Sequence, residues 1–350
     1  MAVTLKMLAE HTGFSVATIS RVLNNDPTMS AGEETRQIIF DTAQKLGYVG
    51  GSGRRTQRII KDTMVIGIAE MMTPAEQVYD PYFLYLKNFI DHSCMEKKIQ
   101  TVSLRVDKDE VHLLSAAGID GIIAIGYFSK GQIQSMQRIS RNIVFLDSSP
   151  DELHYDSVVI NFDLGIQQAV DYLKELGHER IGFLGPKRLR DDTQHITYEP
   201  RRRFFEHYMR ELGLYRSEYV LEAPLRDRKM AESALELHLR TREREDLPTA
   251  MIAVNEECAI AALHALRDAE FSVPDDMSII SFNDTVVSSV VEPALTSISP
   301  HLDYIASTAV RMVIERTSTP SHPLERKYPQ KVVIPPELIK RESTSRWEEK

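Results

Sequence analysis

The side chains best suited to chemistry near the start of the chain form a pattern for contacting DNA. Ser15 has the position of a helix N-cap, and the first exposed side chains of the helix that follows are Val16 and Ala17. Small apolar side chains there can face base edges in the major groove and meet a thymine methyl group. Hydroxyl, amide and guanidinium groups around them can donate to phosphates or bases. The predicted DNA-contacting residues of this region are Thr4, Ser15, Val16, Ala17, Thr18, Ser20, Arg21 and Asn24.

Three short helices are predicted to position these side chains. Thr4 caps the first helix, Gly13 permits a turn, and Ser15 caps the second. Ser30 and Glu33 form an S-x-x-E capping box for a third helix. The inward residues of the third helix are predicted to be Ile38, Ile39, Ala43 and Leu46. Together these elements are the parts of a helix-turn-helix.

A glycine-rich and basic segment, residues 49–61, lacks apolar periodicity and is interpreted as a linker. Residues 1–61 contain eight Lys or Arg and five Asp or Glu, a net charge of +3. The whole chain carries −9 at pH 7, so the remainder carries −12. This asymmetry fits a DNA-contacting head on an acidic body. We expect Arg54 and Arg55 of the linker to contact phosphate or minor-groove oxygens.

Beyond the linker, short apolar runs alternate with helical patterns, which predicts βαβ units and parallel sheets flanked by helices. About ten such runs over roughly 280 residues favour two sheets. The predicted fold class is therefore α/β, with a three-helix head and a two-lobed body. The predicted domains are 1–48 for the head, 49–61 for the hinge, 62–342 for the body and 343–350 for a polar tail.

The sequence lacks the motifs of several classes of enzyme and metal-binding protein. No G-x-S-x-G occurs, and His178-Glu179 is not followed by a second His at metal-ligand spacing. Cys94 and Cys258 have no paired spacing, so neither a disulfide nor a cysteine-based zinc site is expected. No signal peptide or membrane-length apolar run is present, which favours the cytoplasm. We expect no enzyme activity, no metal and no cofactor.

The segment Thr4–Asn24 closely resembles the head of the lactose/galactose repressor family, T-x-x-x-[VL]-A-x-x-[AT]-G-x-S-x-x-T-[VI]-S-R-V-[LI]-N. The resemblance continues, with weaker motifs, to about Arg341. It implies a body like a periplasmic sugar-binding protein, with a ligand cleft between two lobes. It also implies a hinge that folds on DNA and inserts a leucine into the minor groove. Residues 49–58 contain three glycines and no leucine, so this chain departs from the family there.

The resemblance also implies an effector site, because four polar residues occupy places that match the family. Asp147, Asn255 and Asn283 each follow an apolar run, and Arg201 lies four residues before Phe205. Carboxylate, guanidinium and carboxamide groups suit vicinal sugar hydroxyls, and we expect a two-pronged contact from Arg201. Aromatic faces can cover the apolar side of a sugar ring. The candidate aromatic residues are Tyr82, Phe83, Tyr127 and Phe162.

The function that the resemblance implies is transcription repression of a sugar-utilisation operon, with release from the operator by a small sugar. A homodimer on a pseudo-palindromic operator is expected. The pair Val16-Ala17 and the stretch Asp80-Pro81-Tyr82 are similar to galactoside-responsive relatives, which favours galactose or a β-galactoside. The alternative is a global catabolite regulator whose DNA binding is tightened by a phosphorylated carrier protein.

Overall fold

The computed structural model of the chain divides into two compact units, residues 1–64 and residues 65–350. The structure describes residues 4–23, 35, 38–39, 42, 64–77, 80–113, 118–190, 196–317 and 328–348. The predicted DNA-contacting residues Asn24, Arg54 and Arg55, and the hinge that carries the last two, lie outside these ranges. Within them, no helix combines the length and the apolar character needed to cross a membrane.

The first unit begins with two helices, α1 (Leu5–Thr12) and α2 (Val16–Leu23). The Thr4 hydroxyl accepts the Met7 N–H at 3.3 Å, and α1 ends at Gly13, whose φ of 75° is a left-handed conformation that glycine adopts without strain. The small core of this unit includes Leu8, Ile19, Val22 and Ile39. Of the two neighbouring isoleucines predicted to face inward, only Ile39 does so, because Ile38 is 43% exposed.

The N-terminal lobe of the second unit is built on a seven-stranded sheet in the order β14-β6-β5-β4-β1-β2-β3. Its strands are parallel apart from β3, which pairs antiparallel with β2. The strands are β1 (Val65–Glu70), β2 (Gln100–Val106), β3 (Val111–Leu113), β4 (Gly121–Ile125), β5 (Ile143–Leu146), β6 (Asp156–Ile160) and β14 (Lys331–Ile334). Its helices are α3 (Pro74–Gln77), α4 (Pro81–Glu96), α5 (Lys130–Ile139) and α11 (Leu302–Arg316).

The C-terminal lobe is built on a six-stranded sheet in the order β10-β7-β11-β12-β13-β15, in which β15 alone is antiparallel to its neighbour. The strands are β7 (Ile181–Leu184), β10 (Val220–Leu221), β11 (Ala250–Ala253), β12 (Ser278–Phe282), β13 (Thr296–Ser299) and β15 (Glu337–Ile339). A hairpin of β8 (Arg188–Arg190) and β9 (Ile196–Tyr198) follows β7. The helices are α6 (Phe162–Glu175), α7 (Pro200–Glu211), α8 (Arg228–Arg240), α9 (Glu256–Asp268) and α10 (Val286–Val290), with short 3₁₀ turns at Ser217–Tyr219 and Arg244–Asp246.

The chain passes between the two lobes three times. It leaves the first sheet after Ile160, returns after Ser299 through α11, and leaves again after Ile334. The buried strands are rich in Ile, Val, Leu and Ala on both faces, as expected for parallel strands covered by helices on each side. Because the strands of each lobe are mostly parallel, their carboxyl ends meet at one edge of the sheet, where ligands bind in open α/β folds.

The last described residues pack onto the C-terminal lobe. The Ser343 hydroxyl donates to the Ile279 carbonyl at 2.6 Å and accepts the Thr296 N–H at 2.8 Å. The Trp347 N–H donates to the Leu176 carbonyl at 2.8 Å. Ser343 is fully buried. Residues 343–348 therefore form part of the body, in contrast to the separate polar tail that their composition predicts.

Candidate functional site

The second helix of the head and its N-cap carry most of the predicted DNA-contacting residues, of which Thr18 and Ser20 are half-buried. The Ser15 hydroxyl oxygen accepts the Thr18 N–H at 3.1 Å, as an N-cap does, and lies 2.8 Å from the Thr18 hydroxyl. Val16 is 43% exposed, and Ala17 and Arg21 are exposed as well. The same helix buries Ile19 and Val22 in the core of the head. The α2 helix therefore has one face that packs in the core of the head and one face with exposed side chains.

In the body, one cavity of about 490 Å³ brings together the residues predicted for effector binding. They come from both lobes, since some follow strands of the first sheet and others follow strands of the second. All eight line it: Tyr82, Phe83, Tyr127, Asp147, Phe162, Arg201, Asn255 and Asn283. We call this cavity the cleft. Its volume falls in the range of about 300–1,000 Å³ that is usual for small-molecule sites.

Asp147 follows β5 directly, in a left-handed conformation with φ of 64°. The Tyr82 hydroxyl donates to its carboxylate over a long distance of 3.5 Å. Burial raises the pKa of Asp147 to about 7, and the nearby carboxylates of Asp80 and Glu199 add to this shift while Arg201 opposes it. The inner end of the cleft thus holds more carboxylates than guanidinium groups. A ligand that donates hydrogen bonds fits this excess of acceptors.

Arg201 lies in the first turn of α7 and is 8% exposed. Its Nε donates to Glu199 at 2.7 Å, and its Nη1 donates to the carbonyl of Val254 at 2.8 Å. The guanidinium carbon also lies 4.6 Å from the centre of the Phe162 ring. These two bonds use Nε and Nη1, and the contact from Arg201 to a sugar stays a prediction. Arg201 remains part of the cleft wall with its position fixed by these partners.

The two asparagines have structural bonds as well as a place in the cleft. The Asn255 side chain caps α9 by accepting the Cys258 N–H at 3.0 Å, and its amide donates to the Leu225 carbonyl at 3.0 Å. Asn283 follows β12 with φ of 96°, and its N–H donates to the Ile298 carbonyl at 3.1 Å. The Asn255 carboxamide is therefore held by its own bonds, whereas Asn283 is fixed through its backbone at the carboxyl end of β12.

Five charged cleft residues were not among the sequence predictions. Asp80 and Glu199 are buried, whereas Glu76, Arg188 and Arg226 are exposed at the cleft wall. Burial raises the pKa of Asp80, and Arg226 opposes this shift. The only sequence features that could have indicated them are two X-Pro steps at helix starts, Asp80-Pro81 and Glu199-Pro200, because Pro favours the first helical turn. Glu76, Arg188 and Arg226 have no such feature.

The cleft offers closely spaced acceptors and donors together with aromatic faces. Among its described lining residues no serine, cysteine or histidine is present that could act as a nucleophile with an adjacent base. Phe162 and the edge-to-face pair Tyr82–Phe83, with ring centres 5.1 Å apart, contribute the apolar part of the wall. This combination can bind a polyhydroxylated ring.

Two families match the chain. Residues 4–50 match bacterial regulatory proteins of the lacI family, and residues 170–344 match a periplasmic binding protein-like domain. The first match covers the helices that present Val16 and Ala17, and the second covers most of the C-terminal lobe.

Individual proteins are similar over nearly the whole chain. The HTH-type transcriptional regulator GalR of Streptococcus thermophilus is 30% identical over 344 residues, which cover 97% of this chain and 99% of that protein. The structure of the lac repressor dimer bound to operator and the anti-inducer ONPF has a TM-score of 0.62 at 20% identity, covering 99% and 100% of the two chains. The complex of the transcriptional regulator CelR with cellobiose has a TM-score of 0.64 at 20% identity, covering 97% and 99%.

Proposed function

The chain belongs to the lacI family of bacterial regulatory proteins, and on that premise we propose that it represses a sugar-utilisation operon and leaves its operator when a small sugar binds the cleft. The observation that carries the proposal is the composition of the cleft. Carboxylate, guanidinium and carboxamide groups from both lobes surround one cavity with aromatic faces. Vicinal hydroxyls need donors and acceptors in this alternation, and a ring has an apolar face to cover.

The DNA-binding part of the proposal rests on α2. Its exposed Val16 and Ala17 are suited to contacts with thymine methyl groups, and the exposed Arg21 is suited to phosphate or base contacts. Arg54 and Arg55 of the hinge are proposed to add phosphate contacts. Because one head buries too little surface for specific affinity, we propose a homodimer on a pseudo-palindromic operator. Since operator DNA is the partner, the compartment of action is the cytoplasm.

The sugar acts by differential affinity. A ligand that binds the weakly DNA-binding conformation better than the tightly binding one shifts the population toward release. Both lobes contribute to the cleft, so a bound sugar can favour one arrangement of the two lobes over another. Galactose or a β-galactoside is the first choice of ligand, following the resemblance of the Val16-Ala17 and Asp80-Pro81-Tyr82 stretches to galactoside-responsive relatives.

The test has two steps. A thermal-shift screen against sugars and sugar phosphates identifies the ligand, because a ligand of the folded state raises the melting temperature. The full-length protein is then titrated with an operator selected from a random pseudo-palindromic pool, with and without that ligand. We expect the ligand to weaken operator binding at least about tenfold, which is a coupling of roughly 1.4 kcal/mol. Tight operator binding that no sugar alters would refute direct sugar sensing and favour regulation by a phosphorylated carrier protein.

A further inference from the structure

Asn283 lines the cleft from a turn whose backbone is strained. Asn283 and Asp284 follow β12 directly, and both have positive φ angles, of 96° and 47°. Residues other than glycine rarely adopt such conformations, which persist only where the surrounding structure fixes them. In the described part of the chain, Asn283 is held through its backbone N–H, which donates to the Ile298 carbonyl at 3.1 Å, and not through its carboxamide. The backbone of this turn therefore decides where the carboxamide lies in the cleft.

Strand β13 holds one side of the turn. The backbone N–H of Asp284 donates to the Ser297 hydroxyl oxygen at 3.2 Å, and the same oxygen accepts the Ser281 hydroxyl at 2.9 Å. Ser281 and Ser297 are fully buried in the paired strands β12 and β13. These neutral bonds fix the backbone of Asp284 and leave its carboxylate to be held by another group.

Arg341, which lies just beyond β15, holds the carboxylate. Its Nη2 lies 2.7 Å from Oδ1 of Asp284, and its Nη1 donates to the Leu295 carbonyl at 2.7 Å. The backbone N–H of Arg341 also donates to the Thr296 hydroxyl oxygen at 2.9 Å. The side chains of Arg341 and Asp284 are 20% and 12% exposed, so salt screens this ion pair less than it screens a surface pair. One guanidinium group thus joins the turn to the start of β13.

The contact with two partners depends on the shape of the guanidinium group. Its N–H donors point in fixed directions in one plane, so Arg341 can reach a carboxylate and a carbonyl at the same time. A lysine at this position would keep the positive charge but would offer a single flexible ammonium group. Arg341 itself is not among the described residues that line the cleft. Its influence on a ligand therefore passes through the residues of the turn.

We propose that Arg341 is a positioning residue of the effector site: by holding Asp284, it keeps the neighbouring Asn283 carboxamide in the position from which it bonds to a sugar. This inference rests on the proposed function, because it takes the cleft to be the sugar site. Loss of the guanidinium group frees the Asp284 carboxylate, and the strained turn then relaxes toward ordinary backbone angles. Binding a sugar then includes the cost of ordering the Asn283 carboxamide again.

Hydrogen–deuterium exchange of the full-length protein, measured by mass spectrometry, tests the turn without any ligand. In Arg341→Gln, peptides that contain residues 283–285 should exchange about tenfold faster, while peptides of β5 in the N-terminal lobe keep their wild-type rates. Arg346→Gln, at an exposed position of the same segment, is the control and should change neither. Arg341→Lys should restore part of the protection, because it keeps the charge. Unchanged exchange at the turn in Arg341→Gln overturns the inference.

Asp284→Asn approaches the same contact from the other side. It removes the charge that Arg341 binds, and asparagine tolerates a left-handed backbone, so we expect the fold to be kept. This variant should speed exchange at the turn as Arg341→Gln does, and it takes the place of Arg341→Gln if that variant does not fold. Wild-type exchange at the turn in Asp284→Asn also overturns the inference.

Isothermal titration calorimetry with galactose and with lactose distinguishes positioning from a general effect on stability. Arg341→Gln should weaken sugar binding about three- to tenfold, as expected for the loss of one hydrogen bond. In the background of Asn283→Ala the same substitution should weaken binding less than about twofold, because the carboxamide that it positions is already gone. Arg346→Gln should leave the affinity unchanged in both backgrounds.

The outcomes separate this inference from the proposed function. An equal loss of sugar affinity from Arg341→Gln with and without Asn283 shows a merely structural role and overturns the inference, while sugar binding by the wild type still supports the proposed function. If neither galactose, lactose nor any sugar of the thermal-shift screen binds the wild type, the proposed function fails. The exchange rates at residues 283–285 then still decide whether Arg341 holds the turn.

Discussion

The carboxylate of Glu256 accepts hydrogen bonds from both the backbone N–H and the hydroxyl of Thr285, each at 2.8 Å. It also accepts the Ser288 hydroxyl at 2.6 Å. Glu256 follows Asn255 in the chain, and Thr285 lies two residues after Asn283. One buried carboxylate therefore links the two chain segments that carry the cleft residues Asn255 and Asn283, although these segments follow different strands.

Replacing Glu256 with Gln tests this connection. The substitution keeps the size of the side chain but exchanges one acceptor oxygen for a donor, so a donor of Thr285 or Ser288 loses its buried partner. We expect the free energy of unfolding to fall by about 1–3 kcal/mol and sugar affinity to fall about three- to tenfold. Urea denaturation and calorimetry measure the two effects, with Glu245→Gln at an exposed position as the control. Equal behaviour of the two variants would contradict the role assigned to Glu256.

The raised pKa of Asp147 predicts a pH dependence of stability. Its carboxyl has an ordinary pKa of 3.8, which burial raises to about 7 in the folded protein. Between these values the folded state holds a proton that the unfolded state has lost, so this contribution to stability is full below about pH 4 and is lost as the pH rises through 7.

Asp147→Asn removes that titration. The unfolding free energy of the wild type, taken relative to this variant, should fall between pH 4 and pH 7 with a slope of at most ~1.4 kcal/mol per pH unit, and should level off above pH 8. Urea titrations at several pH values measure the slope. Asp275→Asn, the same substitution at an exposed position, controls for the loss of one carboxylate. A relative stability that rises with pH would show that Asp147 is stabilised as the carboxylate.

The DNA-binding face of α2 is tested at Arg21, which is exposed while its neighbour Val22 is buried. Arg21→Ala should weaken operator binding by about 1–3 kcal/mol, as expected for a base or phosphate contact, and should leave sugar affinity unchanged. Fluorescence anisotropy with a labelled operator measures the first effect, and calorimetry measures the second. Arg267→Ala removes a similarly exposed arginine from the body and should preserve operator affinity. Full operator affinity of the Arg21 variant would exclude this residue from the DNA contact.

The fold was predictable because its patterns are local and repeated. The apolar runs Asn142–Leu146 and Ala250–Val254 predict buried parallel strands, and they contain β5 and β11 of the two sheets. The cleft residues were predicted from the resemblance to the family, and their places in the sheets agree with that prediction. Asp147, Asn255 and Asn283 each come directly after or close to a strand end, and strand ends of parallel sheets converge.

The contacts that could not be predicted from the sequence are those between residues that are distant along the chain. The bonds of Arg201 to Glu199 and to the Val254 carbonyl, the latter next to the end of another strand, had no signal in the sequence, and its contact with a sugar stays a prediction. Arg226 lines the cleft because a loop of the C-terminal lobe approaches α3, and no periodicity of the sequence indicates such an approach. Ser343 of the predicted polar tail is buried, and its hydroxyl bonds to the Ile279 carbonyl and to the Thr296 N–H.

The last prediction concerns Arg201 and Glu199, whose carboxylate is fully buried. Arg201→Ala leaves that carboxylate without its cation, so the free energy of unfolding should fall by about 3–5 kcal/mol. The loss of sugar response in this single variant would therefore be mixed with a loss of stability. The double variant Glu199→Gln/Arg201→Met separates the two, because a neutral amide and an apolar side chain replace the buried ion pair and the amide oxygen can still accept the Arg202 N–H.

The double variant should recover most of the stability lost in Arg201→Ala, bind operator without sugar as the wild type does, and stay on the operator when sugar is added. A protein that does not bind the sugar has no reason to change its affinity for DNA. Arg203→Ala, an exposed arginine two residues along the same helix, should respond to sugar normally. Urea denaturation and operator titrations with and without the sugar identified by the thermal-shift screen decide the outcome. Full sugar-induced release by the double variant would show that Arg201 does not contact the effector. Other residues of the cleft would then have to couple sugar binding to the DNA affinity of the head.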